Sequence, residues 1–115
     1  MDAAKLAEVV REALHGAGAV HEVKMFGGIG FMLNGNLIAA ASKRGLLVRV
    51  GEEQHEKALE RSGARPMIMR GRTMRGYIYV DPPALNARSA AGWIALAAPH
   101  VLSLPRKARR ATGKK

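Results

Sequence analysis

The stretch Met25-Phe26-Gly27-Gly28-Ile29-Gly30-Phe31-Met32-Leu33-Asn34-Gly35-Asn36-Leu37-Ile38-Ala39 decides the fold. Two apolar, strand-like runs meet across Asn34-Gly35, a pair that accepts positive φ and so favours a two-residue hairpin. Gly27, Gly28 and Gly30 mark a place where the backbone turns tightly or passes close to another group. Glycine-rich loops hold phosphate when their amides point at it from a helix N-terminus. Here the glycines lie inside and between strands with no helix behind them, so neither a P-loop nor a dinucleotide fingerprint applies. A bulge or tight bend is the expected use.

Working outward, residues 2–16 predict an amphipathic helix. Leu6, Val9, Val10, Ala13 and Leu14 recur at three- and four-residue spacing, with Asp2 as N-cap and Gly16 and Gly18 as the stop. Strands are expected near 22–26, 28–34, 36–42 and 46–50. A second helix is expected over 52–61, opened by Glu52 and Glu53 at the positive end of its dipole. Met67-Ile68-Met69 and Tyr77-Ile78-Tyr79-Val80 read as two more strands, stopped by Asp81-Pro82-Pro83. A last helix is expected to start near Asn86 or Ala87, carry Trp93, and kink or end at Pro99. The order α-β-β-β-β-α-β-β-α, with strands joined by short turns, predicts an α+β fold: an antiparallel sheet of about five to six strands with packed helices.

The chain has 115 residues, the size of one domain, and no cysteine, which excludes disulfides, thiolate metal sites and cysteine nucleophiles. No apolar run approaches the roughly 20 residues that span a bilayer. The start Met1-Asp2-Ala3-Ala4-Lys5-Leu6 is unlike a signal peptide, so a cytoplasmic protein is expected. Net charge is +10, and six of the nineteen basic residues sit in the tail as Arg106, Lys107, Arg109, Arg110, Lys114 and Lys115. Residues 1–104 are expected to form the domain, and residues 105–115 a basic, disordered tail. A second concentration runs through Arg61, Arg65, Arg70, Arg72 and Arg75. Such stretches raise encounter rates with polyanions, although a solvated surface carries the same signature.

Lys24-Met25-Phe26-Gly27-Gly28-Ile29-Gly30, the hairpin behind it and Leu46-Leu47-Val48-Arg49-Val50 resemble the N-terminal domain of the TfoX/Sxy family of bacterial competence regulators. Gly63-Ala64-Arg65-Pro66, Tyr77 to Val80 with Pro82 behind it, and Trp93 fit the same pattern, which spans about residues 3–100. Family members often have Pro-Phe at the fifth strand where this chain has Pro66-Met67, a tolerable swap in a core. The resemblance implies an α+β fold and a link to transcriptional regulation of DNA uptake, and it brings no catalytic residues. Members that activate competence genes resemble a two-domain design. The chain here stops after a short basic tail, so promoter activation is not expected to carry over whole.

No catalytic, cofactor or metal site is expected. His15, His21, His55 and His100 fall on four different elements without metal-ligand spacing, and surface or capping roles are expected for them. Glu56 and Glu60 share a helix face expected to be solvated, and the serines lack a nucleophile context. Tyr77 and Tyr79 face one side of their strand. Beside Arg70, Arg72 and Arg75 they offer a stacking and charge surface for single strands, or else pack across strands. Met25, Met32, Met67, Met69 and Met74 suit core filling, or an adaptable partner surface if exposed.

Three readings follow. The first is a non-enzymatic regulatory domain in contact with transcription machinery or another regulatory protein. The second is a nucleic-acid-binding accessory protein using Arg70, Arg72, Arg75, Arg106, Lys107, Arg109, Arg110, Lys114 and Lys115. The third is a pure interaction module, a homodimer among its forms. No membrane partner is expected.

Overall fold

A computed structural model describes residues 1–25 and 27–107. Phe26 of the glycine block, and Arg109, Arg110, Lys114 and Lys115 of the tail, lie outside the described residues.

The described residues run α1 (Ala3–Ala13), β1 (Val20–Met25), β2 (Gly28–Leu33), β3 (Asn36–Ser42), β4 (Gly45–Arg49), a 3-10 turn (Glu52–Gln54), α2 (His55–Leu59), β5 (Ala64–Met69), β6 (Arg72–Val80), a second 3-10 turn (Pro82–Ala84) and α3 (Ala87–Ser103). The six strands form one antiparallel sheet in the order β1-β2-β3-β4-β6-β5. This is the expected α+β order.

Strand alternation gives the sheet two unlike faces. Phe31, Leu33, Leu46, Val48, Ile78 and Val80 point to one face and bury against Leu6 and Val10 of α1, its C-cap Leu14, and Trp93, Ile94, Ala97 and Val101 of α3. Ala58 of α2 joins the same core, so all three helices lie on one side. Asp2 caps α1 by accepting from the Lys5 amide at 2.8 Å. Asn86 and Ser89 cap α3 reciprocally, each accepting the other's backbone N–H.

Three expectations about local structure are corrected. Helix α3 runs through Pro99 to Ser103, because buried Ala97 and Val101 anchor it on both sides of the proline. The helix expected over 52–61 is a 3-10 turn followed by a short α2. The tight turn lets Gln54 Nε2 donate to the Leu96 carbonyl of α3 at 3.2 Å and places His55 under β6. The last two strands are longer than expected, and β5 includes Pro66, which an edge strand tolerates.

Of the bulge or tight bend expected at the glycines, the bend is what forms, and a bulge lies on β3. Phe31 pairs with Ala39 and Met32 with Leu37, so Ile38 is the extra residue and both Ile38 and Ala39 enter the core. Gly27 turns the chain between β1 and β2, while Gly28 and Gly30 serve close approach. A Cβ on Gly30 would stand 2.5 Å from the Met25 sulfur, so that side chain lies across the glycine.

Candidate interaction surface

Among the described residues no helix covers the opposite face of the sheet. By register it carries Met25 from β1, Met32 from β2, Leu37 and Ala40 from β3, and Leu47 from β4. Met67 and Met69 on β5 and Met74 on β6 complete it, beside Tyr77 and Tyr79. Five of the six methionines are therefore on this bare face, and none is in the core beneath the helices. The core is built from branched aliphatic side chains, alanines, Phe31 and Trp93, which hold defined rotamers. Leu37, Leu47, Met67, Met69, Met74 and Tyr77 line a shallow groove of about 160 Å³.

Arginines frame that groove. Arg49 opposes Tyr77 across β4–β6, its guanidinium 5.5 Å from the ring centre, and Arg65 opposes Tyr79 across β5–β6 at 5.1 Å. Such pairs are worth about 0.5–1 kcal/mol at exposed sites. Arg65 also holds Asp81 at 2.5 Å. Arg72 shares the bare face with its partner Met69. No Asp or Glu occupies a bare-face strand position among the described residues.

The expected arginine surface is partly rearranged. Arg70 sits in the β5–β6 turn at φ +53, a left-handed conformation uncommon for a side chain of its size. Arg75 turns to the helix side and pairs with Glu56 of α2 at 3.2 Å. Gly76 has φ +91, which breaks the alternation of β6 and brings both Met74 and Tyr77 to the bare face. The tyrosines pack across strands under arginines, and Tyr79 is buried, so they offer no open platform for bases.

Topology nevertheless gathers much of the charge at one end of the sheet. The β2–β3 turn Asn34-Gly35, the C-terminal end of β4 at Arg49 and the β5–β6 turn Arg70-Gly71 all lie there. Arg106 and Lys107 join them. The Lys107 N–H donates to the Asn34 carbonyl at 2.9 Å, and Asn36 Nδ2 donates to the Pro105 carbonyl at 3.0 Å. The start of the stretch expected as an unstructured tail is thus fastened to the hairpin, because Asn34 and Asn36 supply the partners its backbone needs.

A cleft of about 540 Å³ opens at the same end, lined by Arg49, Arg75, Tyr77, His100, Glu52 and Glu53. It brings together charges of both signs, and at its edge the Ser103 hydroxyl donates to the His100 backbone carbonyl at 2.6 Å. His55, for which a surface or capping role is expected, is buried: its Nδ1 accepts the Gly76 N–H at 2.9 Å and bolts α2 to the irregular part of β6. Arg11 and Glu22 form the best-aligned ion pair, at 2.6 and 2.9 Å. The hydrogen bond from Arg11, with its charge, holds the Glu22 carboxyl below the usual carboxylate range. Among the described residues no group of three or more His, Asp or Glu is placed to hold a metal, and no helix is long and apolar enough to cross a membrane.

Sequence reasoning missed half-buried Arg49 and Leu37 as residues of this face, and the buried Leu47 beneath them. Arg49 sat inside a run read only as a strand, and which face of a strand stays uncovered depends on where the helices pack.

No curated protein and no solved structure matches the chain. The family model of the TfoX N-terminal domain matches residues 12–100, from the end of α1 through the whole sheet and most of α3. That span holds the glycine block, the Asn34-Gly35 hairpin and Trp93, and by it the chain belongs to the TfoX N-terminal domain family.

Proposed function

We propose that this is a non-enzymatic cytoplasmic regulatory domain that acts in transcriptional control of DNA uptake, by contact with transcription machinery or another regulatory protein. The observation that carries this reading is the bare sheet face, where exposed Met69 and half-buried Leu37, Met74 and Tyr77 line a groove floored by buried Leu47 and Met67, and which no helix of the described residues fills. An apolar groove left open on a folded domain fits a contact site. Family membership supplies the regulatory direction.

Transcript profiling in the native host tests it. Deleting the gene should lower transcripts of the DNA-uptake genes, and a copy with His55 and His100 intact but Met69 and Arg72 replaced should fail to restore them. Unchanged transcripts on deletion would overturn the reading.

A second reading is favoured by the convergence of Arg70, Arg72, Arg106 and Lys107 at one end of the sheet. Contact with nucleic-acid backbone at that end would weaken steeply with salt. Anisotropy of labelled duplex and single-stranded DNA over a salt series tests it, and absence of binding at low salt would dismiss it.

A further inference from the structure

From the bare face and its charged rim we infer that the groove takes an acidic amphipathic segment of a partner protein, one that lays a large apolar side chain between Leu37, Leu47, Met67, Met69, Met74 and Tyr77. This rests on the protein-contact reading above and names the chemistry of the partner.

Three observations carry it. The first is the segregation of methionine: five of six stand on the face that lacks helices, and none packs in the core. Unbranched, polarizable side chains fill irregular shapes and repack around different ligands, so they suit an adaptable docking floor and suit a uniquely packed core less well. The second is charge. The bare face has no strand carboxylate among the described residues, while Arg49 and Arg72 on it and Arg70 at its end are in no ion pair among those residues. An acidic segment would satisfy them, and charge complementarity of this kind sets partner choice and encounter rate.

The third is the strained turn. Arg70 holds φ +53 where asparagine or glycine would sit without strain, at the mouth of the groove beside Met69. A residue kept in a costly conformation points to a role in contact.

Other occupants fit less well. A second copy would bring arginine rim to arginine rim, and the chain's own last residues, Arg109 to Lys115, are basic too. Bases stacked in the groove would need open aromatic faces, but Arg49 covers Tyr77 and Arg65 covers Tyr79.

The test uses the full chain with 13C-methyl-labelled methionine and two matched pools of peptides. Both pools carry apolar residues at helical spacing, one on a Glu/Asp background and the other on a Lys/Arg background. The acidic pool should shift the methyl signals of Met67, Met69 and Met74, leave Met1 unmoved, and lose effect as salt is raised. Arg72→Glu should weaken the effect at least 5-fold while Trp93 fluorescence stays as in the parent chain, which shows the fold intact. Equal effects from both pools, or none, would overturn the acidic-segment proposal. Photo-crosslinks from the bare face to a host protein, obtained in parallel, would then leave the protein-contact reading standing. Shifts of the same methyls by oligo-dT would overturn both. Shifts that grow with protein concentration alone would assign the groove to a second copy and overturn the proposal.

Discussion

Two hairpins at the same end of the sheet use one backbone geometry and opposite chemistry. Asn34-Gly35 turns β2 into β3 with φ of 52 and 84, and Arg70-Gly71 turns β5 into β6 with φ of 53 and 76. Both place two residues in the left-handed region, the form that matches the twist of the strands. In the first, asparagine tolerates the conformation and is put to work. Its side chain accepts the Ala19 N–H at 3.0 Å, its carbonyl takes the Lys107 N–H at 2.9 Å, and the Lys107 backbone crosses directly over Gly35. In the second, arginine gains nothing visible from its own turn, and nothing stands within 4 Å of where a Gly71 Cβ would be. One turn is a structural knot, tied to the α1–β1 connection and to the C-terminal segment. The other is exposed and strained, at the rim of the open groove.

The largest expected effects follow from the difference between the two glycines. Gly35→Ala should cost about 3 kcal/mol, combining backbone strain with collision against Lys107, whereas Gly71→Ala should cost about 1 kcal/mol from strain alone. Urea denaturation reads both, and equal costs would mean that the C-terminal segment does not constrain the first turn. Asn34→Ala comes next, at about 2 kcal/mol, since it leaves the Ala19 amide without its partner and forces a less tolerant residue into the turn. Smaller and opposite in sign, Arg70→Asn should stabilise the domain by about 0.5–1 kcal/mol while weakening capture of acidic peptides. A loss of stability there would remove strain from the comparison.

The smallest effect appears only in acid. Glu22, on β1 beside the knotted hairpin, has a folded-state pKa held down by Arg11, so its protonation is disfavoured in the folded protein. Its contribution is present above the ordinary carboxylate pKa and lost as pH falls through the lowered folded value. The pair is well exposed, so solvent screens it strongly. Glu22→Gln should therefore leave neutral stability nearly unchanged and flatten the acid limb of the stability curve. An unchanged acid limb would show that the pair does not couple to folding.

The same contrast shows what the sequence makes legible. Asn34-Gly35 announces its turn because the residue types match the backbone they adopt, and Asp2 and Asn86 announce their caps for the same reason. Arg70-Gly71 gives half a signal, so β5 and β6 were expected shorter than they are. Local propensity predicts a kink or an end of α3 at Pro99, and the helix does not end there. The packing of Ala97 and Val101 overrides it, a tertiary effect with no local trace. Of the bulge or tight bend expected at the glycines, the bend forms at Gly27, while the bulge at Ile38 has no local signal, since a bulge depends on the register with the neighbouring strand. The methionines were visible as a set, but alternation alone does not tell which face the helices will cover. The charged residues around the groove come from three turns and strand ends that only the sheet order brings together.

The central claim is that the bare face, not the helical side, meets the partner. Site-specific photo-crosslinking in the native host tests it most directly, with the photoreactive residue placed at Val23 or Arg72 on the bare face and at Glu12 or Ala91 on the exposed side of α1 or α3. The account predicts discrete protein adducts from Val23 and Arg72 and none from Glu12 or Ala91. Adducts from the helix positions alone, or equally from both sides, would contradict it.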